Sequence, residues 1–260
     1  MALDRSSKIA LLCSDGDSSR SVYNALRDRF DDVKVIVEPS LSRLEMAKKR
    51  VKRIGFLNVI GQILFVSLIL PVIRASSSKR IDEIRKEFEL PDRWGDAEIF
   101  HVPSVNSEET REVLRSLSPA VVVVNGTRII GLDTLSSLTV PFINMHAGIT
   151  PLYRGVHGGY WALTENRPDL VGTTIHLVDK GIDTGTILDQ RFFSTTQDDN
   201  FVTYPYLHTA HGISGLLSSI ERVISGDAKP RETSVTLPSK LRSHPTIWGY
   251  LYNRVLKKVK

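Results

Sequence analysis

Short apolar runs that alternate with amphipathic segments are the feature that most constrains the fold of this chain. The runs that predict strands are KIALLCS (8–14), DVKVIVE (32–38), AEIFHV (97–102), AVVVVNG (120–126) and PFINMHA (141–147). Segments of helical period separate them, and a valine run such as 120–126 is typical of a strand buried on both faces. The alternation predicts the α/β class, with a Rossmann-like, doubly wound, mostly parallel sheet and a short C-terminal extension.

Further along the chain, GTTIHLVD (172–179) and GTILDQRFF (185–193) predict a pair of strands joined by KGIDT. The order of elements predicts one catalytic domain over residues 1–195, carrying a mostly helical insertion at 41–90. A helix and an extension are expected over 196–260.

Charge and cysteine content narrow the classes of function. The net charge is +5, a mild basic excess that suits a phosphate-bearing partner without indicating nucleic acid. The single cysteine, Cys13, excludes an internal disulfide and a multi-cysteine zinc site. Charged residues precede the first apolar run, which is unlike a signal peptide, so we expect a cytoplasmic location.

The apolar run at 54–73 is long enough to be considered as a membrane span. Asn58, Gln62 and Pro71 interrupt it, and a span would place strands of one sheet on opposite sides of a membrane. We therefore expect no stable membrane span, and a helix that is buried in the fold or at a subunit interface. Docking on a membrane surface is the alternative, because a basic run precedes the segment.

The candidate chemistry lies at the end of the strand PFINMHA. Asn144 and His146 are two residues apart, so their side chains point to the same side of the strand. Asp183, in a glycine-flanked loop after a later strand, could fix the tautomer of His146 and raise the pKa of its imidazole. An amide, an imidazole and a carboxylate together can stabilise an oxyanion and move one proton. The acceptor would then supply the nucleophile, and an amine fits that role.

INMHAGITPLYRG (143–155) followed by GTTIHLVDKGIDTGTIL (172–188) resembles the folate-dependent formyltransferase family. The resemblance implies a Rossmann-like domain and 10-formyltetrahydrofolate as the formyl donor. It also implies that the catalytic triad of the family falls on Asn144, His146 and Asp183.

The same resemblance implies a pterin pocket that is lined largely by backbone. The residues expected to bind the folate are Gly126, Thr127, Arg128, Ile129, Ile130, Val178, Gly181 and Gly185. Tyr153, Arg154 and Gly155 are expected to bind substrate, although the first two could equally well position their loop. Three other histidines, His101, His157 and His176, are assigned structural or peripheral roles.

The acceptor is predicted from the places where this sequence differs from individual branches of the family. Where the glycinamide-ribotide branch has a Gly-Ser-Asn phosphate loop, this chain has Asp17, Ser18 and Ser19. The region after the catalytic core is also short for the methionyl-tRNA branch. The sequence therefore predicts an N-formyltransferase that acts on the amine of a nucleotide-linked amino sugar, with a small-molecule substrate and no nucleic-acid partner.

Several alternatives stay open at this point. The enzymatic ones are a 10-formyltetrahydrofolate hydrolase and a formyltransferase for glycinamide ribotide or methionyl-tRNA. The others are a non-catalytic folate- or nucleotide-binding protein and a membrane-surface scaffold. A homodimer is among the assemblies that the sequence permits.

Overall fold

A seven-stranded sheet organises the computed structural model, which describes residues 5–40, 51–52, 54–231 and 238–260. Its strands are β1 (Ile9–Ser14), β2 (Val33–Glu38), β3 (Ile99–His101), β4 (Val121–Asn125), β5 (Phe142–His146), β7 (Gly172–Leu177) and β8 (Ile187–Phe192). The order across the sheet is β3-β2-β1-β4-β5-β7-β8. Strands β1 to β5 are mutually parallel, whereas β7 runs antiparallel to both β5 and β8. The predicted fold class is confirmed.

Helices cover both faces of this sheet. They comprise Asp17–Arg29, Phe56–Ser76, Ser78–Glu87, Glu108–Leu117, Leu132–Leu135, Gly158–Thr164, Tyr204–Ile224 and Ile247–Leu256, with a 3₁₀ turn at Pro168–Leu170. Local chemistry sets some of these boundaries. The Ser107 hydroxyl accepts the backbone N–H of Thr110 at the start of Glu108–Leu117, whose first turn is acidic.

The core lies on both sides of the sheet because successive strand residues point to opposite faces. On β1, Leu11 belongs to the layer under the helix Asp17–Arg29, and Leu12 to the layer on the other face. The helix Tyr204–Ile224 adds Leu216 and Ile220 to the first layer. That helix therefore packs on the sheet, and a domain boundary near residue 195 stays a prediction.

Two short parallel strands bring the C-terminal region to the loop after β5. Strand β6 (Tyr153–Gly155) pairs with β9 (Lys240–Arg242). The helix Ile247–Leu256 follows β9 and rests against the helix Phe56–Ser76, where the rings of Phe65 and Tyr250 lie 4.9 Å apart.

Within the predicted insertion at 41–90, residues 56–76 and 78–87 are helical, whereas 41–50 and 53 lie outside the described residues. The insertion itself stays a prediction. The helix Phe56–Ser76, with a π-helical turn at Phe65–Ile69, buries Val59 and Phe65 against the fold. Leu57 and Val72, on its outer side, are 73% and 68% exposed. The expectation that the apolar run is buried within the fold is therefore wrong, because only one side of the helix packs on this chain and its outer side is largely apolar as well.

The subunit-interface form of that expectation stays a prediction. By length and composition, Phe56–Ser76 could cross a membrane, and 28% of its most apolar window is buried.

Candidate active site

Antiparallel pairing of β5 with β7 builds one side of the candidate site. The register places Asn144 directly opposite His176, and His146 opposite Thr174. The Asn144 amide nitrogen lies 3.1 Å from Nε2 of His176. The predicted pair at the end of β5 therefore has a third polar side chain beside it.

Asp183 reaches the same place from the loop after β7. Its Oδ1 lies 3.4 Å from Nδ1 of His146 and 3.6 Å from Nε2 of His176. Its Oδ2 accepts the backbone N–H of Gly155 at 2.8 Å. The backbone of Asp183 has a φ of 52°, the left-handed region that residues other than glycine seldom occupy. The loop thus holds one carboxylate between two imidazoles.

His146 is held by a backbone carbonyl. Its Nε2 lies 2.7 Å from the Tyr153 oxygen, so Nε2 carries the proton of the neutral ring and Nδ1 faces Asp183. Burial lowers the pKa of His146 below its ordinary value, although Asp183 and the Tyr153 carbonyl act in the opposite direction. The expectation of a raised pKa is therefore wrong, because desolvation of the fully enclosed ring outweighs its carboxylate neighbour.

Asp183 stays ionised in this setting. Burial by itself would raise the pKa of its carboxyl group. The neighbouring imidazoles of His176 and His146 and the Gly155 N–H together lower that pKa below its ordinary value. The site therefore combines a neutral imidazole with a carboxylate at neutral pH.

His176 belongs to the site, although the sequence suggested a structural or peripheral role. Its Nδ1 lies 2.8 Å from the Leu177 carbonyl, so Nδ1 donates and Nε2 is left to accept from Asn144. Alternation in TTIHLVD could have placed His176 on one face of a strand. No local signal gives the neighbour of that strand, which is why its role was missed.

A cavity of about 570 Å³ opens onto these groups. Asn144, His146, His176 and Asp183 all line it. Seven of the eight residues predicted to bind folate also line it, namely Gly126, Thr127, Arg128, Ile129, Ile130, Val178 and Gly181.

Gly185 is the exception, since it does not line the cavity. A Cβ at this position would overlap the Leu177 carbonyl. Glycine is required here because the chain passes too close to Leu177 for any side chain, and the folate contact of Gly185 stays a prediction.

The loop 126–130 is fixed by two side chains from neighbouring strands. The buried carboxylate of Glu38 accepts the Arg128 N–H at 2.7 Å and pairs with the Arg128 guanidinium at 2.6 Å. The Ser14 hydroxyl donates to the Gly126 carbonyl at 2.8 Å. Gly126 itself has a φ of 67°, a conformation that suits glycine. This wall of the cavity is therefore a fixed backbone surface.

The predicted substrate-binding loop splits into two roles. Only Gly155 lines the cavity; the ring of Tyr153 is buried in an apolar cluster with Leu152. The Arg154 guanidinium donates to the Ile182 carbonyl at 3.4 Å, which ties β6 to the loop that carries Asp183. The side chains of Tyr153 and Arg154 thus position the site, and substrate contacts of this loop stay a prediction.

Residues near the C-terminus complete the cavity wall. Leu241, Arg242, Ser243 and His244 line it, and His244 Nδ1 lies 3.0 Å from Nε2 of His157. No local sequence pattern indicates this wall, because it depends on the pairing of β6 with β9, which are far apart in the chain.

His208, on the helix Tyr204–Ile224, also lines the cavity. Its Nδ1 lies 3.0 Å from the Thr173 hydroxyl. Burial lowers the pKa of His208 to about 3, so its ring is neutral across the physiological range. Sequence reasoning assigned it no role.

The sequence model of the formyl transferase family matches residues 67–210. The chain is 33% identical over 135 residues to methionyl-tRNA formyltransferase of Anaeromyxobacter sp. (strain K), a match that covers 50% of this chain and 43% of that protein. The curated relative is thus matched over less than half of its length.

Two solved structures share the fold. A sugar N-formyltransferase from Shewanella sp. has a TM-score of 0.53 and 16% identity, covering 90% of this chain and 76% of that one. Phosphoribosylglycinamide formyltransferase from Anaplasma phagocytophilum has a TM-score of 0.56 and 15% identity, covering 85% of this chain and 88% of that one. The family match takes in more than half of the chain, including Asn144, His146 and Asp183. This chain therefore belongs to the formyl transferase family.

Proposed function

We propose that this protein is an N-formyltransferase that moves a formyl group from 10-formyltetrahydrofolate to an amine. One observation carries the proposal: the Asp183 carboxylate lies between His146 and His176 in a cavity that Asn144 also lines. These are an ionised acid, a neutral base and an amide donor in one place. They are suited to acyl transfer to an amine, which brings its own nucleophile.

The cavity suits a folate. Its volume of about 570 Å³ lies within the range of small-molecule sites. Val124, Ile130 and Val178 supply apolar wall, and the loop 126–130 supplies fixed backbone groups. The pterin of a folate is a flat heterocycle with polar edges, so it needs both an apolar wall and fixed hydrogen-bonding groups. When bound, 10-formyltetrahydrofolate supplies the activated formyl group.

His146 is the proposed base. The Tyr153 carbonyl holds the proton on Nε2, which leaves Nδ1 to take the proton that the attacking amine loses. The imidazolium so formed would have Asp183 Oδ1 at 3.4 Å, and this carboxylate would stabilise its charge. Proton transfer by a positioned side chain typically contributes about 10² to 10⁴ in rate.

Asn144 is the proposed donor to the formyl oxygen. A primary amide has two N–H donors, and His176 accepts one of them. The second is left for an oxygen on which negative charge develops. Because His176 is itself held by the Leu177 carbonyl, the amide is oriented before the substrate binds.

For the acceptor, we propose a nucleotide-linked amino sugar. For a ribotide, the N-terminus of the helix Asp17–Arg29 would be the natural phosphate site. Asp17 occupies that end, paired with Arg85 at 3.0 Å and accepting the Tyr206 hydroxyl at 2.6 Å. A carboxylate held there disfavours a phosphate at the same end.

The pyrophosphate of a nucleotide-linked sugar needs cationic or hydrogen-bonding groups when it is buried. Arg154 is tied to the Ile182 carbonyl, so it is replaced as the candidate by Arg242, which lines the cavity beside Ser243 and His244. Arg242 also pairs with Glu165, so a pyrophosphate would share it. A sugar N-formyltransferase shares the fold.

Methionyl-tRNA is the second candidate acceptor, favoured by the sequence identity to methionyl-tRNA formyltransferase. The test is a panel assay that follows consumption of 10-formyltetrahydrofolate by the purified protein. The panel contains dTDP-, UDP- and GDP-linked amino sugars, initiator methionyl-tRNA, glycinamide ribotide and a control without amine.

We expect turnover with at least one nucleotide sugar and little in the control. Rapid hydrolysis of 10-formyltetrahydrofolate in the control without amine would show that the protein is a hydrolase and would refute the transferase proposal. A kcat/KM for methionyl-tRNA or glycinamide ribotide above that of every sugar tested would overturn the acceptor and leave formyl transfer in place.

A further inference from the structure

Exposed apolar side chains are concentrated on two elements of this fold. Among the residues that the structure describes, seventeen large apolar side chains are exposed, and twelve of them lie within 51–76 and 247–256. We call the exposed apolar residues of the two helices the two-helix face. It comprises Phe56, Leu57, Ile63, Leu64, Leu68, Val72, Trp248, Leu251, Tyr252, Val255 and Leu256.

The two helices adjoin each other, so these residues form one surface. The ring of Trp248 lies so close to Gly61 that a Cβ on Gly61 would overlap it. Phe65 and Tyr250 are in ring contact at 4.9 Å beneath the surface. A contiguous apolar surface of this kind on a folded chain marks an interaction site.

The charged residues of the two segments that contain these helices are all cationic. Residues 51–76 and 238–260 contain nine lysines and arginines and no aspartate or glutamate. Because the whole chain has a net charge of +5, the remainder is net negative. Lys52, Arg74, Arg254 and Lys258 are exposed and form no ion pair with any other described residue. Apolar side chains bordered by cations are the pattern of a surface that binds anionic bilayers.

We propose that the two-helix face docks this protein on the surface of a lipid bilayer that contains anionic lipids. The apolar side chains would enter the boundary between head groups and acyl chains, with the lysines and arginines at the phosphates. Trp248 and Tyr252 suit that boundary, because each combines an apolar ring with a polar atom. The inference rests on exposure and charge, and it does not depend on the formyl-transfer reaction.

A span is disfavoured by contacts on the inner side of the helix Phe56–Ser76. Phe65 packs against Phe201 at 5.0 Å between ring centres. The Gln62 amide donates to the His244 carbonyl at 2.7 Å. Insertion across a membrane would break these contacts and leave the Gln62 amide in hydrocarbon.

A second copy of the chain is disfavoured by charge. A two-fold interface brings the same patch of both subunits together, so it would oppose cations to cations. An anionic bilayer has the opposite charge. The docked surface would also adjoin the cavity wall, because Gln62 contacts His244, which lines the cavity.

The test is cosedimentation of the full chain with vesicles of phosphatidylcholine, with and without phosphatidylglycerol. We expect binding to the anionic vesicles that falls with added salt. The double variant Leu68→Ser/Val255→Ser should bind at least about tenfold more weakly. The matched control is Leu132→Ser/Phe192→Ser, which removes two exposed apolar side chains outside the two-helix face and should bind as the wild type does.

A second pair of variants tests the charge without altering the apolar side chains. Lys258→Glu should weaken binding to anionic vesicles about tenfold at low salt, whereas Lys229→Glu, an exposed lysine outside the two helices, should not. Three results would overturn the proposal: no vesicle binding by a folded wild type, a dimer that Leu68→Ser/Val255→Ser dissociates, or membrane association that only detergent reverses.

Discussion

Nδ1 of His146 lies 3.4 Å from Oδ1 of Asp183, although the imidazole belongs to β5 and the carboxylate to a loop beyond β7. The other ring nitrogen is held by the Tyr153 carbonyl. A base whose proton and lone pair are both positioned, and whose charged form has a carboxylate beside it, is the arrangement on which the proposed chemistry depends.

His146→Ala removes the proposed base, and kcat for formyl transfer should fall by about 10² or more. Folate binding should persist, because the loop 126–130 is held by Glu38 and Ser14 instead. Steady-state kinetics with fluorescence titration of a folate analogue would measure both. His101→Ala, at an exposed position outside this cavity, is the control. Near wild-type kcat in His146→Ala would refute the assignment.

His176→Ala tests a positioning role. Without the imidazole, Asn144 loses its acceptor and Asp183 loses the ring packed beside its carboxylate. We expect a fall in kcat that is smaller than for His146→Ala, with little change in KM. His176→Gln, whose amide can restore part of the hydrogen bonding, should recover part of the rate. An equal fall in both variants accompanied by lower thermal stability would show that His176 only supports the fold.

Because of His208, the free energy of unfolding should be lower in acid than at neutral pH. Its folded pKa of about 3 lies below the ordinary 6.5, so the unfolded chain binds a proton that the folded chain does not. Stability is therefore unaffected above pH 6.5 and falls as the pH drops below it, by about 2 kcal/mol at pH 5. Urea unfolding of His208→Gln at pH 7 and pH 5 should show a smaller loss than the wild type. Equal losses would argue against a neutral, enclosed ring.

Gly185→Ala should destabilise the fold, because a Cβ would overlap the Leu177 carbonyl. We expect a loss of about 1–3 kcal/mol in the free energy of unfolding, as is usual for overpacking. Gly16→Ala is the matched control, since a Cβ at Gly16 meets no atom within 4 Å. If both variants unfold at the same urea concentration as the wild type, the close approach at Gly185 is not a constraint.

Gln62→Leu tests whether the buried Gln62 amide stabilises the fold. The Gln62 amide donates to Ser243 and His244 in the cavity wall, so its loss should lower stability by about 1–3 kcal/mol. Asn58→Leu, one turn earlier on the same helix, loses only a local bond to the Ile54 carbonyl and should cost less. Thermal unfolding of the two variants would compare them, and a greater loss in Asn58→Leu would contradict the prediction.

The sequence by itself determined the sheet and half of the site. Runs such as 120–126 form buried strands because their composition suits burial on both faces, and that property is local. Asn144 and His146 share a direction because the strand period is two, wherever the strand lies. The loop 126–130 directly follows one of these strands, so its place at the end of the sheet could also be predicted.

Only the tertiary structure decided which groups meet and how they ionise. His176 joined the site because β7 pairs antiparallel with β5, and Arg242 joined the cavity wall because β9 pairs with β6. The pKa of His146 is lowered because the assembled fold excludes water from its ring. This desolvation lowers the pKa by more than the neighbouring Asp183 carboxylate raises it. The outer side of the helix Phe56–Ser76 is largely apolar as well as its inner side, so periodicity could not show which side the chain would cover. Strand pairing, desolvation and burial depend on residues far apart in sequence, so no local pattern contains them.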